Sequence, residues 1–337
     1  MRRGLWLLSC IALSPLVSGC PKKPDKIVAA GEDRVLSDAE IDAEPAALLP
    51  GGAVAVFAVD VKKVMASQFG QKVLSISRAR TPVPASANFD PGRDLERAWV
   101  GVYSMQGADS AAVLTGTFDK AAIERSADGT QRTPLGTPVV KSSYAGRSLY
   151  TSHNIGFVVL TSRTVLVGNE TGIRRALDRI KEGRVRNQLP VWFEELAKTP
   201  NAPVVAGFDL RAQPLTDATR QQLPFLSGLE TARFLGNFES PGVNLAGTMT
   251  YGDEAGAKAG AAALLQVRET IASWGWLASL LGVGQPVRQL DAQVSGKDAK
   301  VVAALDAGEV GKLLDQLSNY LGTPNQPGVI PATTSVC

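Results

Sequence analysis

Two stretches decide the fold: Leu95-Glu96-Arg97-Ala98-Trp99-Val100-Gly101-Val102-Tyr103 and Leu229-Glu230-Thr231-Ala232-Arg233-Phe234-Leu235-Gly236-Asn237-Phe238. They match as Leu-Glu-x-Ala, then an aromatic residue, then Gly-x-aromatic, with one residue inserted in the second. Each is rich in residues that suit a half-buried pleated surface, so each reads as a strand. A turn then leads to Leu114-Thr115-Gly116-Thr117-Phe118 in one place and Leu245-Ala246-Gly247-Thr248-Met249 in the other. Two antiparallel hairpins are predicted, each running toward an aspartate, Asp119 or Asp253, placed to cap a helix.

Outward from these hairpins the correspondence continues. Upstream stand Val54-Ala55-Val56-Phe57-Ala58-Val59-Asp60 and Val204-Val205-Ala206-Gly207-Phe208-Asp209, strand-like runs that each end in an acid. A segment able to form a helix follows each, most clearly Val61 to Ile76. Downstream, Phe157-Val158-Val159-Leu160 and Thr164-Val165-Leu166-Val167 flank a turn, and Asn169 caps a helix carrying Ile173, Leu177 and Ile180 at the 3.6 period. Val287 to Val294 and Ala299 to Leu305 flank Ser295-Gly296-Lys297-Asp298 in the same way, before a helix with Val310, Leu313, Leu314 and Leu317. Each half reads as strand, helix, hairpin, helix, hairpin, helix. Three matches in one order predict an α+β fold of two related repeats, each a largely antiparallel sheet with helices packed on one face. The repeats span residues 51–189 and 190–321. Whether their strands share one sheet is not legible at this level.

The N-terminus speaks to location. Met1-Arg2-Arg3 is a short basic segment, and Gly4 to Val17 is uncharged and mostly apolar. That run is well short of the roughly twenty residues a spanning helix needs. Val17-Ser18-Gly19-Cys20 follows, an aliphatic residue, two small residues and a cysteine. This stretch resembles the lipobox of bacterial lipoproteins. The resemblance implies a signal peptide over 1–19 and a diacylglyceryl group on the Cys20 thiol, with the new amino terminus acylated. A thiolate is the nucleophile such a transfer needs. In the sorting rule associated with that family an Asp after the cysteine marks inner-membrane retention. Pro21 stands there instead, which puts the outer membrane, facing periplasm or surface, ahead of the inner one.

Residues 20–50 open with Pro21-Lys22-Lys23-Pro24-Asp25-Lys26 and turn acidic toward Glu44, so they are expected to form a lipidated, largely flexible tether. Ser37-Asp38-Ala39-Glu40 within it has the form of a capping box. Residues 322–337 carry three prolines and no apolar period and read as an extended tail. Leu49-Pro50-Gly51-Gly52-Ala53-Val54 at the entrance of the body is similar to the opening of uncharacterised exported bacterial proteins, from which no activity carries over.

Composition narrows the function. Without residues 1–19 the chain has 33 basic residues, two fewer than the full 35, against 32 acidic ones. Near-neutrality argues against nucleic acid as a partner. With Cys10 in the signal and Cys20 lipidated, Cys337 is the one remaining thiol, so no internal disulfide is expected. Catalysis by a Ser-His-Asp set would need the single histidine, His153, which sits in a polar stretch without a Gly-x-Ser-x-Gly elbow. One histidine and no body cysteines fit no usual zinc set. Val167-Gly168-Asn169-Glu170-Thr171-Gly172 has the position of a phosphate loop but lacks the Gly-Lys-Ser/Thr, and reads as a helix cap. Glu194-Glu195 is the nearest carboxylate pair, yet adjacent helical residues do not face each other. No catalytic, cofactor or metal residue is assigned, and no cofactor is expected.

Two surfaces suit binding. The helix from Glu170 carries Arg174, Arg175, Arg179 and Lys181, continuing to Arg184 and Arg186, a basic face open to anionic groups. Ala255 to Leu281 reads as a long Ala-rich helix with Leu264, Val267, Ile271, Trp274, Ala278 and Leu281 on one face. The expected protein is therefore a membrane-anchored cell-envelope lipoprotein, a non-enzymatic binding or scaffold protein. Its expected partners are the membrane, through the lipid, and an envelope protein. A carboxylate-dependent envelope hydrolase is the alternative. Neither ligand nor oligomeric state is fixed by these residues.

Overall fold

Residues 36–104, 109–211, 213, 215–273 and 284–322 are described by the computed structural model. Helix α1 (Asp38–Ala43) begins at the capping box read in the sequence: Glu40 N donates to Ser37 Oγ at 3.3 Å, and Ser37 N donates to the Glu40 carboxylate at 2.9 Å. A 3₁₀ turn at Pro45–Leu48 leads to strand β1 (Ala55–Asp60), then α2 (Val61–Ala66) and α3 (Gly70–Arg80). A turn at Ala85–Ala87 and α4 (Pro91–Asp94) precede the hairpin of β2 (Leu95–Val102) and β3 (Ser110–Gly116), and α5 (Lys120–Ser126) follows. Four strands complete the first half: β4 (Val140–Tyr144), β5 (Arg147–Ser152), β6 (Ile155–Val159) and β7 (Thr164–Gly168). After them come α6 (Glu170–Lys181) and α7 (Val191–Ala197).

The second half repeats the order. It runs β8 (Val204–Asp209), α8 (Asp217–Gln222), a turn at Pro224–Leu226, β9 (Leu229–Asn237) and β10 (Gly242–Tyr251). Helix α9 (Glu254–Ser273), β11 (Val287–Ser295), β12 (Asp298–Asp306) and α10 (Ala307–Gly322) complete it. Asp119 caps α5 by accepting from Ala122 N at 2.9 Å, and Asp253 accepts from Gly256 N at 2.7 Å at the start of α9, as their positions predict.

Among the described residues the twelve strands form one sheet, ordered β11-β12-β10-β9-β8-β1-β2-β3-β7-β6-β5-β4. Every neighbouring pair is antiparallel. The α+β class and the antiparallel pairing are as expected, and the question left open is settled: the halves share a sheet. They meet where β1 pairs with β8, and Phe57 lies opposite Ala206. Leaving out β4 and β5, the strand order reads the same outward from that junction in both directions. The β2–β3 ladder slips between Leu95 and Arg97, opposite Gly116 and Thr115. The β9–β10 ladder slips at the same place, with Thr231 opposite Thr250 and Leu229 opposite Tyr251. A bulge bends its strand and raises the local twist, so matched bulges give both halves one curvature.

The register corrects two of the sequence equivalences. Ala98 lies opposite Val59, and Ala232 opposite Phe208, so Leu-Glu-x-Ala is matched in space. Beyond it no residue is inserted: Trp99 is the counterpart of Arg233, and Phe234 that of Val100. Trp99 and Phe234 therefore point to opposite faces, because side chains alternate along a strand. Similarly, Leu114 corresponds to Met249 rather than Leu245, since it lies opposite Ala98 as Met249 lies opposite Ala232.

Helices cover the two halves differently. One face of the first half carries α1, α6 and α7, whose Ile41, Ile173, Leu177 and Phe193 pack with Val56 and Val113 of the sheet. The other face carries α5 and the turn at 85–87, which pack Ile123 and Ala87 on Tyr150, Phe157 and Val165. Continuous apolar runs in β6 and β7 reflect that two-sided burial. In the second half α9 and the turn at 224–226 cover one face, through Ala257, Ala261, Leu264 and Leu226 on Met249 and Val301. The opposite face presents Asp291, Gln293, Lys300 and Val302 as exposed side chains. One-sided packing, expected for both repeats, describes the outer strands β10, β11 and β12 of the second; over β8 and β9 the other face meets α7, where Trp192 lies against Gly207 and Val205 and Leu235 join the first core.

Residues 36–50 depart from the expected flexible tether. Ile41, Ala47, Leu48 and Leu49 are at most 1% exposed and belong to or adjoin the first core. Asp42 Oδ1 accepts hydrogen bonds from Thr161 Oγ1 and Thr164 Oγ1, both at 2.6 Å. Three large apolar side chains, Ile41, Leu48 and Leu49, suffice to dock this segment, since each fully buried one contributes roughly 1.5–3 kcal/mol. The boundary at 190 also shifts in meaning, because Phe193 of α7 fills the first core. Residues 1–35, with Cys20, and 323–337, with Cys337, lie outside the described residues.

Candidate functional site

The basic helix α6 is tied into the body. Asn169 caps it by accepting from Gly172 N at 3.1 Å while also accepting from Ser110 N at 3.0 Å. Gly168 and Gly172 both press on the Ser110 carbonyl: a Cβ would stand 2.3 and 2.1 Å from its oxygen. That contact accounts for the glycines of the would-be phosphate loop. Arg174 pairs with Glu170 and lies 4.6 Å from the Tyr144 ring centre, and Arg175 meets Asp109 at 2.9 Å. Arg179 donates to the carbonyls of Ala47 at 3.1 Å and Arg186 at 2.7 Å. Burial is the main influence on the Arg179 guanidinium and lowers its pKa. Arg175 and Arg179 line a shallow cleft with Arg184, Asp178 and Gln188 beside Pro50 and Gly51. Because Arg179 clasps the 3₁₀ turn at 45–48, its first role is to hold the docked N-terminal segment in place. Tyr103 lies beneath, with its hydroxyl donating to the Pro50 carbonyl at 2.9 Å, and burial pushes its pKa up.

The candidates for chemistry do not converge. His153 sits exposed at the β5–β6 turn with φ +56°. Glu194 is half-buried and Glu195 exposed on successive positions of α7. Among the described residues no three His, Cys, Asp or Glu side chains gather as a metal site would require. The long helix is described as far as Ser273, with Leu264 turned to the core and Leu265 39% exposed. Trp274, Ala278 and Leu281 lie outside the described residues. No helix among those described is long and apolar enough to cross a membrane.

What the structure adds is a cavity of about 190 Å³ that no sequence feature marked. Its floor is one face of the sheet: Leu95, Leu114, Phe157, Val159, Val165 and Val167. Phe118 and Ile123 at α5 and Val83 and Phe89 in the loop between α3 and α4 wall it, and the end of α3 closes one side through Ser77, Arg80 and Thr81. Phe118, Ile123, Phe157 and Val159 are each at most 5% exposed, whereas Leu114 and Val167 are half-buried, so the floor is reachable from one side. The wall is held by α4. Asp90 accepts from Gly92 N at 3.0 Å and Arg93 N at 3.1 Å, and it pairs with Arg78 of α3 at 2.6 Å. Burial opposes ionisation of Asp90 and is the largest influence, but the Arg78 hydrogen bond and the backbone amides outweigh it and hold the carboxyl below its ordinary value. The only charged group among the lining residues is Arg80. Such an arrangement excludes polar chemistry from the floor and suits an apolar guest.

Fold and cavity together define an α+β protein with a single antiparallel sheet and a ligand-sized apolar cavity against one face. No protein-family model matches the sequence, and no curated protein matches it. Among solved structures the chain is similar to crystal form I of TP0453, with 12% identity over 82% of this chain and 96% of that one and a TM-score of 0.49. Crystal form III of TP0453 matches with 11% identity over 81% and 97%, at a TM-score of 0.47.

Proposed function

We propose that this chain is a lipid-anchored, non-enzymatic protein of the bacterial cell envelope that binds an apolar ligand in the cavity between α3, α5 and the sheet. The cavity carries the binding part of this reading: its floor and most of its walls are hydrocarbon. The lipobox-like Val17-Ser18-Gly19-Cys20 supports the anchor, and Pro21 supports the outer membrane as its site. Fifteen residues separate Cys20 from Leu36, a contour of at most about 50 Å at roughly 3.3 Å per residue. The docked segment at 36–50 thus keeps the body nearer the bilayer than a tether running to residue 50 would. An envelope protein remains the proposed macromolecular partner, one that exchanges ligand with the body.

Magnitudes set a requirement on the ligand. An apolar cavity of about 150 Å³ holds a benzene ring, so 190 Å³ accommodates about eight carbons. At roughly 0.8 kcal/mol per methylene these supply about 6 kcal/mol, against an association cost of at least about 4 kcal/mol. Micromolar binding needs about 8 kcal/mol net. The guest must therefore gain contacts outside the cavity as well.

Fluorescence of the neutral probe N-phenyl-1-naphthylamine tests the binding reading. Saturable enhancement at one site, lost in Leu114→Trp, is expected; enhancement unchanged by that substitution would place the apolar site elsewhere. Labelling with an alkynyl fatty acid in wild type and Cys20→Ser tests the anchor, and equal label in both would remove it.

A further inference from the structure

We infer that the occupant of this cavity is a single unbranched alkyl chain ending in a carboxylate, with Arg80 receiving the head group. The inference rests on the apolar-binding reading and specifies its ligand. Three observations lead to it. First, the sheet face that floors the cavity continues beyond it as an apolar strip. Leu114 neighbours Ala98 and Val167 neighbours Ala112, and from there Val100 and Phe57 carry the same face to the β1–β8 junction, where Phe208 meets Phe57 edge-on and packs on the core of the second half. Each of these side chains is half-buried. A compact ring system would fill the cavity and leave that strip bare, whereas a chain can occupy both.

Second, polarity is confined to one end. Arg80 lies in the last turn of α3, with Ser77 one turn earlier and Thr81 beside it, and the Thr81 hydroxyl donates to the Ser77 carbonyl at 2.8 Å. No acidic residue lines the cavity. A guest of neutral ends would set hydrocarbon against a guanidinium, and a cationic one would meet like charge; an anionic head fits. Third, a guanidinium has five N–H donors, so Arg80 can accept a carboxylate in addition to the partners it has. Charge-assisted pairing of this kind is planar and suits a carboxylate.

The test uses the full mature chain and two ligands of equal tail, dodecanoate and dodecanol, each displacing N-phenyl-1-naphthylamine. Wild type should prefer the acid by about tenfold, and Arg80→Gln should bring the acid down to the alcohol while leaving the alcohol unchanged. Leu114→Trp, or Val167→Trp if the first fails to fold by circular dichroism, should lose both ligands. Acid and alcohol binding equally in wild type, with both lost in the tryptophan variant, would overturn the head-group assignment and leave the apolar site standing. Displacement by neither ligand, with the probe itself still bound and lost in the tryptophan variant, would overturn the alkyl chain. Failure of the probe to bind at all would overturn the apolar site and this inference with it.

Discussion

Replacing Ile41 by alanine asks whether residues 36–50 belong to the body or merely lead to it. Ile41 is 0% exposed and packs in the core formed by Leu48, Leu49, Ile173, Leu177 and Phe193. Truncating a fully buried isoleucine costs about 2–5 kcal/mol, and we take about 4 because the side chain is fully enclosed in the core. Unfolding entropy near 60 °C is about 2.1 cal/mol/K per residue, so a body of roughly 300 residues changes by about 0.6 kcal/mol per degree. The expected fall in Tm is therefore about 6 °C, read by circular dichroism at constant scan rate. Glu44→Ala is the control: Glu44 is exposed and its side chain caps nothing, so Tm should move by less than about 1 °C. A shift below 1 °C for Ile41→Ala would refute the docked segment, since a free tether has no core to lose.

Three further outcomes follow from single contacts. A Cβ on Gly207 would lie 2.0 Å from Cη2 of Trp192, so Gly207→Ala must displace the indole and should cost about 1–3 kcal/mol in urea unfolding. In a Trp192→Ala background the same substitution should cost under about 0.5 kcal/mol; additive losses would mean the indole is not the obstacle. Asn169→Ala removes the cap of α6 and the bond to Ser110 N, and should destabilise by about 1–2 kcal/mol, whereas Asn169→Asp should retain most of the stability. For Asp90 the folded pKa lies below its ordinary 3.8, so its contribution is full above that value and lost as pH falls through the lowered one. Asp90→Asn should accordingly flatten the decline of stability below about pH 4, and an unchanged slope between pH 5 and pH 3 in urea titrations would contradict the assignment.

Much of the fold was legible because hairpins and caps are local. The period-2 runs, the aspartates at 119 and 253 and Asn169 each announced an element that is present. Letter matching failed where face matters. Trp99 and Phe234 look alike in sequence, yet only the pairing to β1 and β8 reveals that they point apart. Strands β4 and β5 went unread since Val140-Lys141-Ser142-Ser143-Tyr144 is mostly exposed and has no apolar alternation, and the turn at Ala145-Gly146 with φ of 50° and 74° was the available cue. The docked segment was hidden because Ile41 and Leu48 are buried by residues more than a hundred positions away. The unbroken apolar runs of β6 and β7 did carry a signal of two-sided burial. The cavity had none: it lies where α3, α5 and the sheet fail to close, and its lining comes from positions 77 to 167.

Native mass spectrometry of the mature protein extracted from bacterial membranes tests the proposed binding activity most directly. The account predicts one non-covalent adduct of fatty-acid mass per chain, released on activation and absent from Leu114→Trp. A bare chain that also takes up no dodecanoate on incubation would contradict it.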